Sequence, residues 1–208
     1  MPTLRPASTQ AAIINRSSDA EDGWYSTGEP HRDRESVMAQ RDQPAIGGDD
    51  PLLRTVTGSF YRAVDPAYRD AALAGSRSAG RYSPPDVPTL YLSASLEGVA
   101  AAMIAHTDDR TPGLRVLRFE VNAHRIVDLR DHEALTSVGI DPSDAAADWQ
   151  ETVATGGSPS SWRVRDALER LGAHGLIDPS RKQPHLWHLT LFDWNSPGAP
   201  SVLEVPTP

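Results

Sequence analysis

Arginine is the residue type in this chain that most clearly offers chemistry. Nineteen of its 20 basic residues are arginine and Lys182 is the only lysine, so the chain is rich in planar forks that grip phosphate and carboxylate oxygens bidentately. A scattered set combines such forks with aromatic and hydroxyl groups: Tyr61-Arg62, Gly80-Arg81-Tyr82, Tyr91 and Ser180-Arg181. Singly, each has an ordinary structural reading. Arg62 could be a surface ion pair, Tyr91 a half-buried strand aromatic, and Ser180 a turn hydroxyl after Pro179.

The commoner catalytic patterns are absent: no GxSxG, no Walker loop, no GxGxxG and no HExxH. His185 and His188 form an HxxH, but within an expected strand they point to opposite faces and make no metal site. His106 ends a helix, where an imidazole near the last carbonyls is ordinarily structural, and Glu97 sits early in the same helix as a favourable charge. The absence of cysteine excludes disulfides, thiolate zinc sites and cysteine nucleophiles, and fits a reducing, cytoplasmic setting. A net charge of -8 argues against nucleic-acid binding, which needs a basic face. With no apolar run approaching a span and no secretory apolar region at the N-terminus, neither membrane insertion nor export is expected.

The elements that must position these groups begin near Leu52. Residues 1–51 read as a disordered acidic tail, with room for a short helix at ESVMAQ. Over 1–50 there are 5 Arg against 9 Asp plus Glu, with no apolar period to bury. From 52 to 208 the texture is that of one compact domain. TGSFYRAV, VPTLYLSA, LRVLRFEV, RIVDL, GLIDPS and HLWHLTLFDW read as strands. SLEGVAAAMIAH reads as a helix burying Leu96, Val99, Ala100, Met103 and Ile104. DPSDAAADWQETVAT and PSSWRVRDALERLGAHG read as two more, the second stopped by Gly172 or Gly175. SPGAPSVLEVPTP reads as a Pro-rich exit. The mixed order, without a repeated βαβ unit, predicts an α+β domain with a mixed, largely antiparallel sheet and flanking helices.

Taken in order, the segments FYRAV (60–64), AGRYSPP (79–85), TLYLSAS (89–95), GAHGLIDPSRK (172–182) and HLTLF (188–192) resemble the RES domain family, over roughly Ser59 to Asp193. The resemblance implies a fold similar to the ADP-ribosyltransferases. It implies a toxin of a bacterial toxin–antitoxin pair that depletes NAD by breaking its nicotinamide–ribose bond, with water or inorganic phosphate as acceptor. It also implies an Xre-type antitoxin as partner, NAD as substrate, and no metal or resident cofactor. On that footing Arg62 and Arg81 clamp the pyrophosphate. Tyr91 and Tyr82 offer faces to nicotinamide or adenine, and Ser180 orients the ribose or the attacking group.

One part of the pattern is missing. The reaction passes through a cationic ribosyl centre that a carboxylate stabilises, and counting from Tyr91 the family's Glu falls on Ala102. That position shares a helix face with Ser95 and His106, away from the Leu96–Val99–Met103 stripe. Glu97 projects to another side. Three explanations stand at this point: an introduced Glu-to-Ala exchange, a naturally degenerate nucleotide-binding or interaction module, or a different acid such as Glu120. An ADP-ribosyltransferase acting on a macromolecule is a further enzymatic alternative.

Overall fold

In the computed structural model the described residues are 43–103 and 113–206. Residues 1–42 of the expected 1–51 tail, with ESVMAQ, and the helix end at Ile104 and His106 lie outside them. Seven strands and five α-helices follow in the order β1 (Ala45–Gly47), β2 (Leu53–Val64), β3 (Leu90–Ser93), α1 (Leu96–Met103), β4 (Arg115–Asp128), α2 (His132–Ser137), α3 (Pro142–Ala146), α4 (Gln150–Ala154), α5 (Ser160–Arg170), β5 (Gly175–Pro179), β6 (Trp187–Leu191) and β7 (Ser201–Val205). A 3-10 segment, Pro66–Ala71, follows β2 and is capped by the Asp65 carboxylate. This is the α+β architecture expected.

The sheet closes on itself. Its order is β1-β2-β3-β6-β5-β4-β7 with an additional β2–β4 pairing, so β2, β3, β6, β5 and β4 form a ring. Only the β4–β5 pair is parallel among the described strands. Alternation then sorts the side chains. Val56, Phe60, Val64, Leu90, Leu92, Leu117, Phe119, Ile177, Leu189 and Leu191 fill the ring interior, while their neighbours face outward. Over part of the outer wall lies a second cluster, in which Val127, Leu176 and Phe192 meet Leu135 of α2, Ala145 of α3 and Val164 and Leu168 of α5.

Several expectations give way. The final residues of the expected 1–51 tail contain β1, which pairs antiparallel with β2. LRVLRFEV and RIVDL are one strand, β4. A bulge at Arg125, whose φ is 59°, adds a residue where Ala123 and Ile126 face Val56 and Arg54, so inward alternation resumes on the opposite parity. The expected helix over 141–155 is two short ones, because Ala147 is extended and the last carbonyls of α3 are taken by Arg81 and Arg181. The Pro-rich exit contains β7, paired with β4; its prolines flank the strand and leave its N–H groups intact. Gly172 does end α5, in the left-handed conformation at φ 78°.

Helix α1 turns a different face inward from the one its apolar spacing suggests. Gly98, Val99 and Ala101 are buried, whereas Leu96 is 59% exposed and Ala100 is also exposed. A β-carbon at Gly98 would meet the Ser93 Cβ at 3.3 Å and the His188 Cε1 at 3.8 Å. Small residues therefore let α1 lie close against β3 and β6, and that closeness outweighs burial of Leu96.

Candidate functional site

The outward residues of four neighbouring strands form one polar row. Tyr61 of β2 pairs in register with Ser93 of β3, Ser93 with His188 of β6, and His188 with Asp178 of β5. The Ser93 hydroxyl and the His188 Nδ1 lie 3.0 Å apart. Burial holds the His188 imidazole below its ordinary pKa, against the pull of Asp178. Asp178 is the only buried carboxylate among the described residues. It accepts a 2.8 Å hydrogen bond from the Tyr82 hydroxyl, and Arg181 stands 3.5 Å away. Burial raises the Asp178 carboxyl above the usual range although Arg181 and Tyr82 oppose the shift. The same burial lifts the Tyr82 phenol well above its normal value.

The Gly80-Arg81-Tyr82 turn reaches this wall because α5 holds it. Trp162 Nε1 donates to the Gly80 carbonyl at 2.9 Å, the Ser161 hydroxyl donates to the Arg81 carbonyl, and Arg165 Nη1 donates to the Tyr82 carbonyl at 3.1 Å. Arg165 is 3% exposed. It also bonds the Thr89 hydroxyl and Glu169, and stacks over Phe192, so its charge is accommodated. Gly80 is required by close approach: a β-carbon there would come within 2.7 Å of the Tyr91 hydroxyl and 2.8 Å of Ser83 Oγ. That hydroxyl lies 3.0 Å from Ser83 Oγ and accepts the Tyr82 N–H at 3.4 Å.

Among the sequence-predicted residues, Arg81, Tyr82, Tyr91 and Ser180 are brought onto this outer wall. Tyr82, however, is 1% exposed. The expectation that it offers a stacking face gives way to a buried ring that acts through its hydroxyl; Tyr91 remains half-buried. Ser180, 5% exposed, follows β5 and accepts the Gln183 N–H at 3.3 Å. Arg62 does not join Arg81. It alternates with Phe60 and Val64 on the interior side of β2 and donates to the Ala72 carbonyl at the end of the 3-10 segment, with burial lowering its pKa. Arg81 instead donates to the Ala147 and Ala145 carbonyls of α3 at 3.0 and 3.4 Å.

Ala102 is half-buried, on the α1 face that carries Ser95 and Gly98, while Ala101 is 2% exposed. Glu97 faces His185 at 3.6 Å and stands clear of the row. Glu120 is bound to Ser59 at 2.7 Å and to Arg118 at 3.0 Å on the β2–β4 part of the wall, so it is already engaged away from Tyr82 and Ser180. His185 precedes β6, and no group of three or more His, Asp or Glu among the described residues is placed to hold a metal. None of the described helices is long and apolar enough to cross a membrane.

Sequence reasoning passed over Ser93 and Asp178, and weighed His188 only as a metal ligand. The parity of LYLS, GLIDP and WHLTL carried the signal: their polar members alternate with buried Leu and Ile, and polar residues at every second position of apolar strands mark an outward face. The wall as built presents the guanidinium groups of Arg81 and Arg181 beside the hydrogen-bonded hydroxyls of Tyr82, Tyr91 and Ser180. It has no carboxylate at position 102.

Comparison with known proteins places the chain. The RES domain family matches residues 59–208. Among curated proteins nothing matches. Among solved structures, a chain of the M. tuberculosis MbcT-MbcA toxin-antitoxin complex is similar at 19% identity and a TM-score of 0.46, over 83% of this chain and 93% of that one. The family match extends from the Ser59 region of β2 through β7 and takes in all five motif segments: this chain belongs to the RES domain family.

Proposed function

We propose that the chain is the toxin member of a toxin–antitoxin pair. Its chemistry is cleavage of the nicotinamide–ribose bond of NAD, with water or inorganic phosphate as acceptor. Its partner is an Xre-type antitoxin that covers the site. The observation that carries this reading is the convergence, within a RES domain, of the Gly80-Arg81-Tyr82 turn, Tyr91 and Ser180 on one stretch of outer wall. In this reading Arg81 holds a phosphate, Tyr91 packs against a base, and the Ser180 hydroxyl orients the ribose or the acceptor. Tyr82 contributes its buried hydroxyl, and Arg62 holds the end of the 3-10 segment behind the site.

Bond cleavage leaves the electron pair with nicotinamide and a positive charge on the ribosyl carbon, which an oxygen of the acceptor then attacks. A carboxylate on the Ala102 face of α1 would stabilise that charge. With alanine there the chain binds NAD without turning it over, and Ala102→Glu restores the reaction. A second reading, a nucleotide-binding module with no turnover in any natural form, is favoured by Ala102 itself.

Cells carrying the unaltered chain or its Ala102→Glu variant separate the two. The variant should lower cellular NAD and arrest growth, and co-expression of a cognate Xre-type antitoxin should relieve both effects. Full NAD levels with a folded, NAD-binding Ala102→Glu chain would reject the toxin reading and leave the module. Labelled ADP-ribose on cell protein in place of free nicotinamide would point to a macromolecular acceptor.

A further inference from the structure

We infer that Arg81 and Arg181, rather than Arg81 and Arg62, form the diphosphate-binding pair of this site. The inference deepens the NAD-cleavage reading and rests on it. The two side chains come from separate elements, the turn before β3 and the residues after β5, yet converge on the C-terminal carbonyls of α3. Arg81 Nη1 donates to Ala145 at 3.4 Å and Ala147 at 3.0 Å. Arg181 Nη2 donates to the same Ala145 carbonyl at 2.7 Å and Nη1 to Ala146 at 3.1 Å. Because both bond one oxygen, the two guanidinium groups lie within two hydrogen-bond lengths of each other, a span that a single diphosphate covers.

Among the described residues only one ion pair reaches them. Two cations meet one carboxylate, Asp178, at 3.5 Å from Arg181, and that carboxylate is shared with the Tyr82 hydroxyl. On the neighbouring helices, Asp144 is paired with Arg163 and Glu169 with Arg165. Dipolar carbonyls at the end of a short helix orient guanidinium groups but carry only partial charge. One arginine would suffice to cap α3. A second on the same carbonyl brings like charges together, an arrangement that an anion relieves.

Both residues are partly exposed. Arg181 has a side chain 35% exposed and Arg81 is half-buried. Among the described residues Arg81 Nε and Nη2 and Arg181 Nε have no protein acceptor. Guanidinium forks with free edges bind phosphate oxygens bidentately, and Ser180 stands immediately beside Arg181. A nucleotide held here by its diphosphate would have its sugar within reach of the Ser180 hydroxyl. Arg62, turned to the ring interior and bonded to Ala72, has no such edge toward this wall.

Calorimetric titration of the full chain with inorganic pyrophosphate and with ADP-ribose tests the pair. Both should bind, and Arg81→Gln and Arg181→Gln should each weaken binding by roughly ten-fold or more. Arg181→Lys, which keeps the charge but loses the fork, should lose part of that affinity and covers the case in which a Gln variant fails to fold. Arg69→Gln, which removes a cation paired with Glu204, is the charge-matched control and should leave binding unchanged. Three results would each overturn the pair: no binding by the unaltered chain at millimolar ligand, unchanged affinity in folded Arg81 and Arg181 variants, or an equal loss in Arg69→Gln. NAD turnover by an Ala102→Glu chain with an unchanged KM after Arg181→Gln would reject the pair and keep the proposed reaction. Pyrophosphate binding that depends on the pair, without any NAD cleavage, would do the reverse.

Discussion

The inside and the outside of the ring are built from the same strands, yet they teach opposite things. Within Leu90–Ser93, Leu90 and Leu92 point inward to full burial while Tyr91 and Ser93 point outward to hydrogen-bonding partners. In Trp187–Leu191, Leu189 and Leu191 fill the core and His188 and Thr190 face the wall. The interior is held mainly by apolar area and shape, with the Phe60 ring edge-on to Trp187 at 5.6 Å and Arg62 bonded to the Ala72 carbonyl at its margin. The wall is held by named hydrogen bonds, and removing one partner leaves the other buried and unsatisfied, at a cost. Stability should therefore respond to interior substitutions and function to outward ones, one residue apart on the same strand.

The largest expected effect is in the interior. Phe60 is fully buried, and Phe60→Ala should cost about 3–5 kcal/mol of unfolding free energy, read as a drop in urea midpoint. A loss under about 1 kcal/mol would mean that the ring interior collapses around the change and is less sharply packed than its burial implies. Next is Tyr82→Phe on the wall. It strands the Asp178 carboxylate with Arg181 alone, and should cost about 1–3 kcal/mol while leaving the ring intact. A neutral outcome would show that the row does not depend on this bond.

Ser180→Ala should be smaller in stability, about 1 kcal/mol or less for one hydroxyl acceptor. Placed in an active Ala102→Glu chain, it should nonetheless remove most NAD consumption. Retained turnover would reduce Ser180 to a turn residue. The smallest effect is in pH dependence. Burial keeps His188 below its ordinary value of 6.5, so the folded state favours the neutral ring. Its contribution is present above the unfolded pKa and is lost as the pH falls through the folded one. Compared with His188→Gln, the unaltered chain should lose melting temperature as the pH drops below about 6.5; parallel curves would contradict the burial of this imidazole.

The division between inside and outside also explains what was legible in the sequence. The strands around FYRAV, TLYLS, GLIDP and HLTLF were readable because interior Leu, Ile, Val and Phe recur at every second position. The closure of β2 onto β4 was not, since it pairs Ser59 with Glu120, 61 positions further along the chain. Arg125 in a left-handed bulge joined two apparent strands into one. Two arginines from distant loops ended α3 where local helix propensity continued. At the candidate site, Arg81, Tyr91 and Ser180 were visible as motif residues, but Asp178 and Ser93 were hidden by ordinary strand positions and His188 was weighed only as a metal ligand. Arg62 misled because an aromatic-Arg pair does not say which of the two faces inward. On α1, Leu96 and Ala100 misled in the same way, since contact of Gly98 with Ser93 and His188 set the helix face.

NAD cleavage by this chain, as proposed, requires a wall that is already assembled and lacks only a carboxylate at position 102. Release of free nicotinamide from NAD by purified Ala102→Glu tests it most directly, with Ala100→Glu, on the exposed side of the same helix, as the folded control. A preorganised charge at the ribosyl centre is worth on the order of 3–4 kcal/mol. Ala102→Glu should therefore release nicotinamide two to three decades faster than the unaltered chain, and Ala100→Glu no faster at all. A folded Ala102→Glu chain that binds NAD and releases nicotinamide no faster than the Ala100→Glu control would contradict the claim.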